Sequence, residues 1–281
     1  MSAPDFVAVG HVTLDHFGEV VRPGGAALYA AVAAHRLGLS AAILTSYGPD
    51  FPLDAVPSQI EVVGLEAPAT LAFEHRETRA GRVLRARGAA RPLSAADVPA
   101  DWLPAPLVLL APVLQEVDPM LAASFPEAAV AAELQGWLRA RDGEDTISAA
   151  PWASPEAALA RLQAIFVSRH DVQGQEAQVT EWVQRVPLAA VTAGAAGAIL
   201  YVNGDRYEVR PRRTRELDPT GAGDVFAATF LVHYDRHGDA WEAAEAATCA
   251  ASLSVEGEGW SAVPDEATLA AALAAYRARA R

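Results

Sequence analysis

At 281 residues with 52% hydrophobic side chains, the chain can bury one sizeable α/β core, and 35 acidic residues outweigh its 22 basic ones, all arginine, to a net charge of −13. That balance excludes nucleic acid as a partner, which needs clustered positive charge. One cysteine, Cys249, excludes an intrachain disulfide; no apolar run reaches the ~18 residues of a membrane span, and no basic leader precedes the first apolar run, so a soluble, cytoplasmic protein without a membrane partner is expected.

Phe6-Val7-Ala8-Val9, ended by Gly10, predicts a first buried strand. Alternation in Val12, Leu14 and Phe17 follows, with Asp15 just beyond the strand, where a turn aspartate is the ordinary reading. Gly24-Gly25 opens an alanine-rich helix that carries Tyr29 and stops at Gly38; the glycine pair permits close backbone approach to a ligand and a hinge. Ala41 to Ser46 predicts a second strand, followed by the turn Gly48-Pro49-Asp50-Phe51. From 60 to 92 the pattern changes to short β-prone pieces with charges between them.

Leu107 to Ala111 predicts another buried strand, and Glu116 lies past its C-terminal end, where open α/β sheets bind ligands. Two readings stand for Glu116: acceptor of a substrate hydroxyl, or an early helix residue. The stretch 131–139 reads as a strand that ends on Arg139, a planar cation suited to phosphate, although a surface arginine is the default. Ala164 to Ser168 is a further strand, with Arg169-His170-Asp171 after it. Leu188 to Thr192 runs into a glycine turn at Gly194 and Gly197, and the pieces at 198–202 and 206–209 form a hairpin through Asn203-Gly204-Asp205.

Asp218-Pro219-Thr220-Gly221-Ala222-Gly223-Asp224 then meets the apolar run 225–231. Two glycines flanking an alanine at a helix start leave backbone N–H groups uncovered, which makes an anion site, and Asp224 stands beside it in the first turn. A hydroxyl arriving there would have phosphate on one side and carboxylate on the other, a layout for phosphoryl transfer. The plain alternative is a tight turn with an acidic residue suited to the helix dipole. Two further helices, from about 239 and through Leu269, Leu273 and Tyr276, complete an alternation of strands and helices that predicts a mainly parallel sheet covered on both faces.

The run 218–224 closely resembles the signature of the PfkB, or ribokinase-like, family of sugar and nucleoside kinases, and the resemblance extends along nearly the whole chain. It implies an α/β fold, a three-layer αβα sandwich with a small β lid built from about 11–23 and 60–93, in a single domain over 1–281. By resemblance Asp224 is the base that takes the hydroxyl proton, and the amides of Gly221, Ala222 and Gly223 form the anion hole. Asp15, Gly24, Gly25, Tyr29, Glu116 and Arg139 would meet the substrate. Thr192, Gly194, Gly197 and Thr220 would flank ATP, and Asp171 would help place Mg²⁺ through water. A monovalent cation is among the cofactors the resemblance allows, and the state is a monomer or a homodimer through the lid.

Two positions depart from the family pattern: Tyr29 stands where an Asn is usual, and Ser168 where an Asn precedes a Glu three residues on. Tyr29, the 48–51 turn and the stretch from Gln135 to Arg139 look more like the inositol-kinase-like branch than ribokinase itself. The expected activity is ATP-dependent phosphorylation of a small sugar or cyclic polyol resembling myo-inositol. A kinase for another sugar or a nucleoside, and a binding protein that has lost catalysis, are the alternatives.

Overall fold

The runs at 6–9, 41–47 and 107–110 form three adjacent interior strands of one large sheet because they are buried on both faces, which an alternating pattern could not support. The computed structural model describes residues 3–78 and 81–279. In chain order, β1 (Phe6–Val9) is followed by β2 (Thr13–Phe17), β3 (Val20–Gly24), helix α1 (Ala26–Arg36) and β4 (Ala41–Tyr47). Next come β5 (Glu61–Glu66), β6 (Ala72–Thr78), β7 (Gly81–Arg87), β8 (Leu107–Leu110) and β9 (Ala129–Glu133). The short β10 (Arg139–Arg141) and β11 (Ile147–Ala149) precede α2 (Glu156–Leu159), β12 (Ala164–Ser168), α3 (Glu176–Val183) and β13 (Leu188–Thr192). The chain then forms β14 (Ala198–Val202), β15 (Asp205–Val209), α4 (Ala222–His237), α5 (Ala240–Ser254) and α6 (Glu266–Ala278).

Nine strands make the large sheet in the order β15-β14-β13-β12-β9-β8-β1-β4-β5, with β14 antiparallel to both its neighbours and the remaining pairings parallel. Side chains leave the strands alternately: Phe6 and Ala8 pack with α1, α4, α5 and α6, while Val7 and Val9 enter a second core on the opposite face. The first face is built of long helices, with Phe226, Phe230 and Tyr234 stacked four residues apart along α4 and Phe166 of β12 set edge-on to the first two. The second face has α2 and α3 and several one-turn 3₁₀ helices, and tryptophans supply the missing bulk. Trp137 stacks on Trp152 at 4.8 Å, and Trp152 meets Trp182 edge-on at 5.6 Å.

A separate four-stranded sheet has the order β3-β2-β6-β7, and Ala86 N–H to the Asp145 carbonyl at 2.8 Å attaches the β10–β11 hairpin to it. The segment expected at 60–93 therefore divides: β5 pairs with β4 at the edge of the large sheet, and β6 and β7 enter the small one.

The expected strand over 131–139 is also broken. It ends at Glu133, and Gln135–Leu138 make a 3₁₀ turn before β10 begins at Arg139. Gly136, Trp137 and Leu138 are buried within this turn, and Trp137 Nε1–H is anchored on the Val117 carbonyl at 2.8 Å. That turn aims Arg139 back across the ends of the parallel strands.

Candidate active site

The N-terminus of α4 is the centre of the site. Gly221 caps the helix with a left-handed backbone (φ 79°), and no side chain bonds the first-turn amides. The N–H groups of Gly221, Gly223 and Asp224 have no hydrogen-bond partner among the described residues, whereas Ala222 N–H reaches the Pro219 carbonyl at 3.3 Å. Of the expected trio Gly221, Ala222 and Gly223, the middle amide bonds within the turn that Pro219 starts, and the amide of Asp224 is free beside the other two. These free donors and the helix dipole favour an anion directly in front of the helix.

Two neighbours fix this turn. Asp218 accepts from Thr220 N–H at 3.0 Å and from Gly259 N–H at 3.1 Å, and Arg22 of β3 bonds the same carboxylate at 3.2 Å while pairing with Glu258 at 2.9 Å. Burial pushes the Asp218 carboxyl up, but these bonds outweigh it and hold the group below the usual carboxylate range. Tyr29, 3% exposed, lies beneath Gly221 and packs edge-on against Trp260 at 6.2 Å. A Cβ on Gly221 would stand 2.1 Å from the Tyr29 ring, so the glycine is required by both space and backbone. Tyr29 thus supports the turn through its ring, a packing contact at the position where the family pattern has an Asn. Burial, then Asp218, Asp15 and Asp224, keep its hydroxyl protonated by raising it well above the ordinary tyrosine range.

Asp15 of β2 is 6% exposed and accepts from the Thr13 hydroxyl at 3.2 Å. Its carboxylate lies so close to Gly24 that a Cβ there would come within 2.2 Å of Oδ2. Gly25 then caps α1 with φ 103°. Burial raises the Asp15 carboxyl to about 6; the Thr13 bond opposes this, and the charges of Asp224 and Asp218 add to it. Asp15 of the small sheet and Asp224 of α4 thus face the same space.

Opposite Asp15, the C-terminal ends of β9 and β12 contribute Glu133 and, one turn on, Asp171. Asp224 is raised to about 6 by burial, with Asp171 adding to the rise and Glu133 and Arg139 opposing it. Arg139 is 21% exposed, lies 3.7 Å from Asp171, and feels the charges of Asp171, Asp224, Glu116 and Asp15. Burial lowers its guanidinium below the usual arginine value and the four carboxylates oppose that shift. One cation among several acids gathers strong charge of both signs at the strand ends, where ligands of open α/β sheets bind.

Other predicted residues have different fates. Glu116 is buried, and its carboxylate accepts from His11 N–H at 3.0 Å, from Val113 N–H at 2.9 and 3.1 Å and from Leu114 N–H at 2.7 Å. These contacts fill both oxygens, so Glu116 clamps the loop after β1 to the loop after β8 and is neither a free hydroxyl acceptor nor a helix residue. Thr192 ends β13, and its carbonyl accepts from Arg169 N–H at 2.8 Å, which joins the turn bearing Gly194 and Gly197 to the turn bearing Asp171. The backbone at 209–211 passes directly against Gly197 on its way to the Asp218 turn. Asp171 meets Gln135 Nε2 at 3.5 Å besides Arg139, and no group of three or more His, Cys, Asp or Glu side chains among the described residues makes a metal cage. The residues thus form no protein-only Mg²⁺ site; a dication fits here as the companion of donor phosphates, which leave room for several waters.

A helix start with unpartnered amides and a raised carboxyl beside it, at the ends of the parallel strands, suits an enzyme of phosphoryl-transfer type. The pfkB family carbohydrate kinase pattern matches residues 11–267, and the chain belongs to that family of phosphotransferases. It is 25% identical over 252 residues to a cytidine kinase of Thermococcus kodakarensis, covering 83% of this chain and 89% of that one. In fold it is similar to a pyrophosphate-dependent myo-inositol kinase (TM-score 0.79, 20% identity, 97% and 99% of the two chains covered). Arabidopsis thaliana ribokinase, solved with ribose and ATP, is also similar (TM-score 0.74, 18% identity, 96% and 99% covered). No helix of the described residues is long and apolar enough to cross a membrane.

Sequence reasoning missed Glu133 and Arg22. A signal existed for Glu133: a lone acid closing the otherwise apolar strand Ala129-Val130-Ala131-Ala132. Arg22 gave none, because its partner Asp218 lies 196 residues away.

Proposed function

We propose that the chain transfers the terminal phosphoryl group of ATP to a hydroxyl of a small sugar or cyclic polyol, with an acceptor resembling myo-inositol. The observation that carries this reading is the juxtaposition of Asp224, raised to about 6, with the unpartnered amides of Gly221, Gly223 and Asp224 itself. A carboxylate poised near neutral pH accepts a proton well, and free amides stabilise charge on a transferring phosphoryl group.

In this mechanism the acceptor lies between Asp15, the Gly24-Gly25 backbone and Arg139, beneath the small sheet acting as a lid. Asp224 takes the hydroxyl proton as the acceptor oxygen forms its bond to the γ-phosphorus. The bond from that phosphorus to the β–γ bridging oxygen breaks, and ADP leaves with the electron pair. Arg139 and the amides meet the charge on the moving group. Thr192, Gly194, Gly197 and Thr220 flank the donor, and Asp171 would hold a Mg²⁺ ion through water, an ion that would supply charge screening to the donor phosphates.

The myo-inositol preference draws support from the Gln135 to Arg139 turn and from the similar fold of a myo-inositol kinase. A nucleoside acceptor is the second reading, supported by the cytidine kinase relative. Loss of catalysis is disfavoured by the perturbed Asp224 carboxyl. The test is ADP release with Mg-ATP against myo-inositol, ribose, fructose, 2-keto-3-deoxygluconate, adenosine and cytidine, with the product weighed by mass spectrometry. Strong turnover with myo-inositol is expected. Turnover with cytidine or adenosine alone would replace the acceptor, and ATP binding without turnover of any acceptor would overturn the kinase reading.

A further inference from the structure

Glu133 closes β9 in the centre of the large sheet, and only 6% of it is exposed. Its Oε2 is fully buried with no hydrogen-bond partner. The charged groups that face it come from two elements: Asp224 from α4 and Asp171 from the turn after β12. Asp224 in turn also meets Arg139 of β10 and, across the crevice, Asp15 of β2. Two facing carboxyls offer each other only acceptors unless one keeps its proton, and two ionised acids in a dry contact repel strongly. The surroundings decide which one keeps it. Arg139 attracts negative charge onto Asp224, which is the less buried of the two, whereas Glu133 has only burial and two negative neighbours.

We propose that Glu133 is a positioning residue: a neutral carboxyl whose O–H is donated to Asp224, leaving that carboxylate ionised with its other oxygen turned to the acceptor hydroxyl. The inference rests on the reading of Asp224 as the base. Burial and the charges of Asp224 and Asp171 push the Glu133 carboxyl well above the usual range, in keeping with its neutrality at pH 7. During transfer Glu133 keeps its proton, and the proton from the acceptor goes to Asp224. Without that donor Asp224 would lose both its orientation and a bond that favours its charged form.

The variants Glu133→Gln and Glu133→Leu separate these effects. Gln retains an N–H donor in nearly the same volume; Leu retains the volume and removes the donor. Glu133→Gln is expected to keep kcat within a few-fold and leave the acid limb of the kcat/KM profile in place. Glu133→Leu should lower kcat on the order of tenfold to a hundredfold with little change in acceptor KM, and move the acid limb upward by about one pH unit. Equal damage from both variants, or wild-type kcat and an unmoved limb in Glu133→Leu, would overturn the proposal. A readout without turnover is the infrared carbonyl band of a protonated carboxylic acid, recorded at pH 7 and compared with Glu133→Gln. Its absence from the wild type sinks the positioning role whatever the activity. Its presence in a protein that turns over no acceptor upholds the shared proton and rejects the kinase reading instead.

Discussion

Replacing Asp224 by Asn should make the protein inactive and more stable. In the folded chain, burial holds the Asp224 carboxyl near 6 against an ordinary 3.8. A carboxyl raised on folding favours the native state below its unfolded value and loses that contribution as pH rises through the folded value. At pH 8 the ionised group therefore costs at most ~3 kcal/mol, from 1.36 kcal/mol per unit. Asparagine removes the charge in the same volume, so Tm at pH 8 should rise by about 5 °C, at roughly 2 °C per kcal/mol for a chain of this size. The gain should shrink on acidification and vanish near pH 4, where the wild-type carboxyl is also neutral. Turnover should fall at least ~10²-fold from loss of the base. Calorimetric melting of both proteins from pH 4 to pH 8 reads the difference. A destabilised variant, or a Tm difference independent of pH, would refute a strained carboxylate at the α4 N-terminus.

Gly221→Ala places a methyl 2.1 Å from the Tyr29 ring on a left-handed backbone, and should cost about 2–4 kcal/mol in urea unfolding while nearly abolishing turnover. Unchanged stability would contradict the close contact. Glu116→Gln turns one acceptor oxygen into a donor against backbone N–H groups; the expected loss is about 2–4 kcal/mol of stability, with acceptor KM unaltered. A large rise in acceptor KM would restore Glu116 to the substrate site. Arg22→Ala removes the tie between the small sheet and the Asp218 turn, so donor KM should rise several-fold at low salt and less at high salt. Equal KM values at all salt concentrations would show that the tie is idle.

Much of this site is local in sequence and legible for that reason. The run 218–224 carries its own turn, cap and first-turn acid, and the hairpin at 198–209 is fixed by Asn203 and Gly204, both with positive φ. The buried strands announced themselves by continuous apolar runs. What stayed hidden depends on distant partners. Glu116 was ambiguous because its four contacts come from two loops, one of them 105 residues earlier in the chain. Glu133 acquires meaning through Asp224, which packing alone brings beside it. The 131–139 stretch misled because Ala, Leu and Trp suit a strand and a buried turn equally well, and the Trp137 anchor on Val117 decides between them. Ala222 fits the motif, yet the Pro219 turn spends its amide, a detail of hydrogen-bond geometry that the residue types do not encode.

The most direct test of Asp224 as the proton acceptor is the pH dependence of kcat/KM for the best acceptor at saturating Mg-ATP. With the carboxyl at about 6, the rate should be flat above about pH 7, halve near pH 6 and fall tenfold per pH unit further below. The limb should vanish together with the activity in Asp224→Asn. A profile flat down to pH 4.5, or an unchanged limb in an active Asp224→Asn, would contradict the assignment of Asp224 as the base.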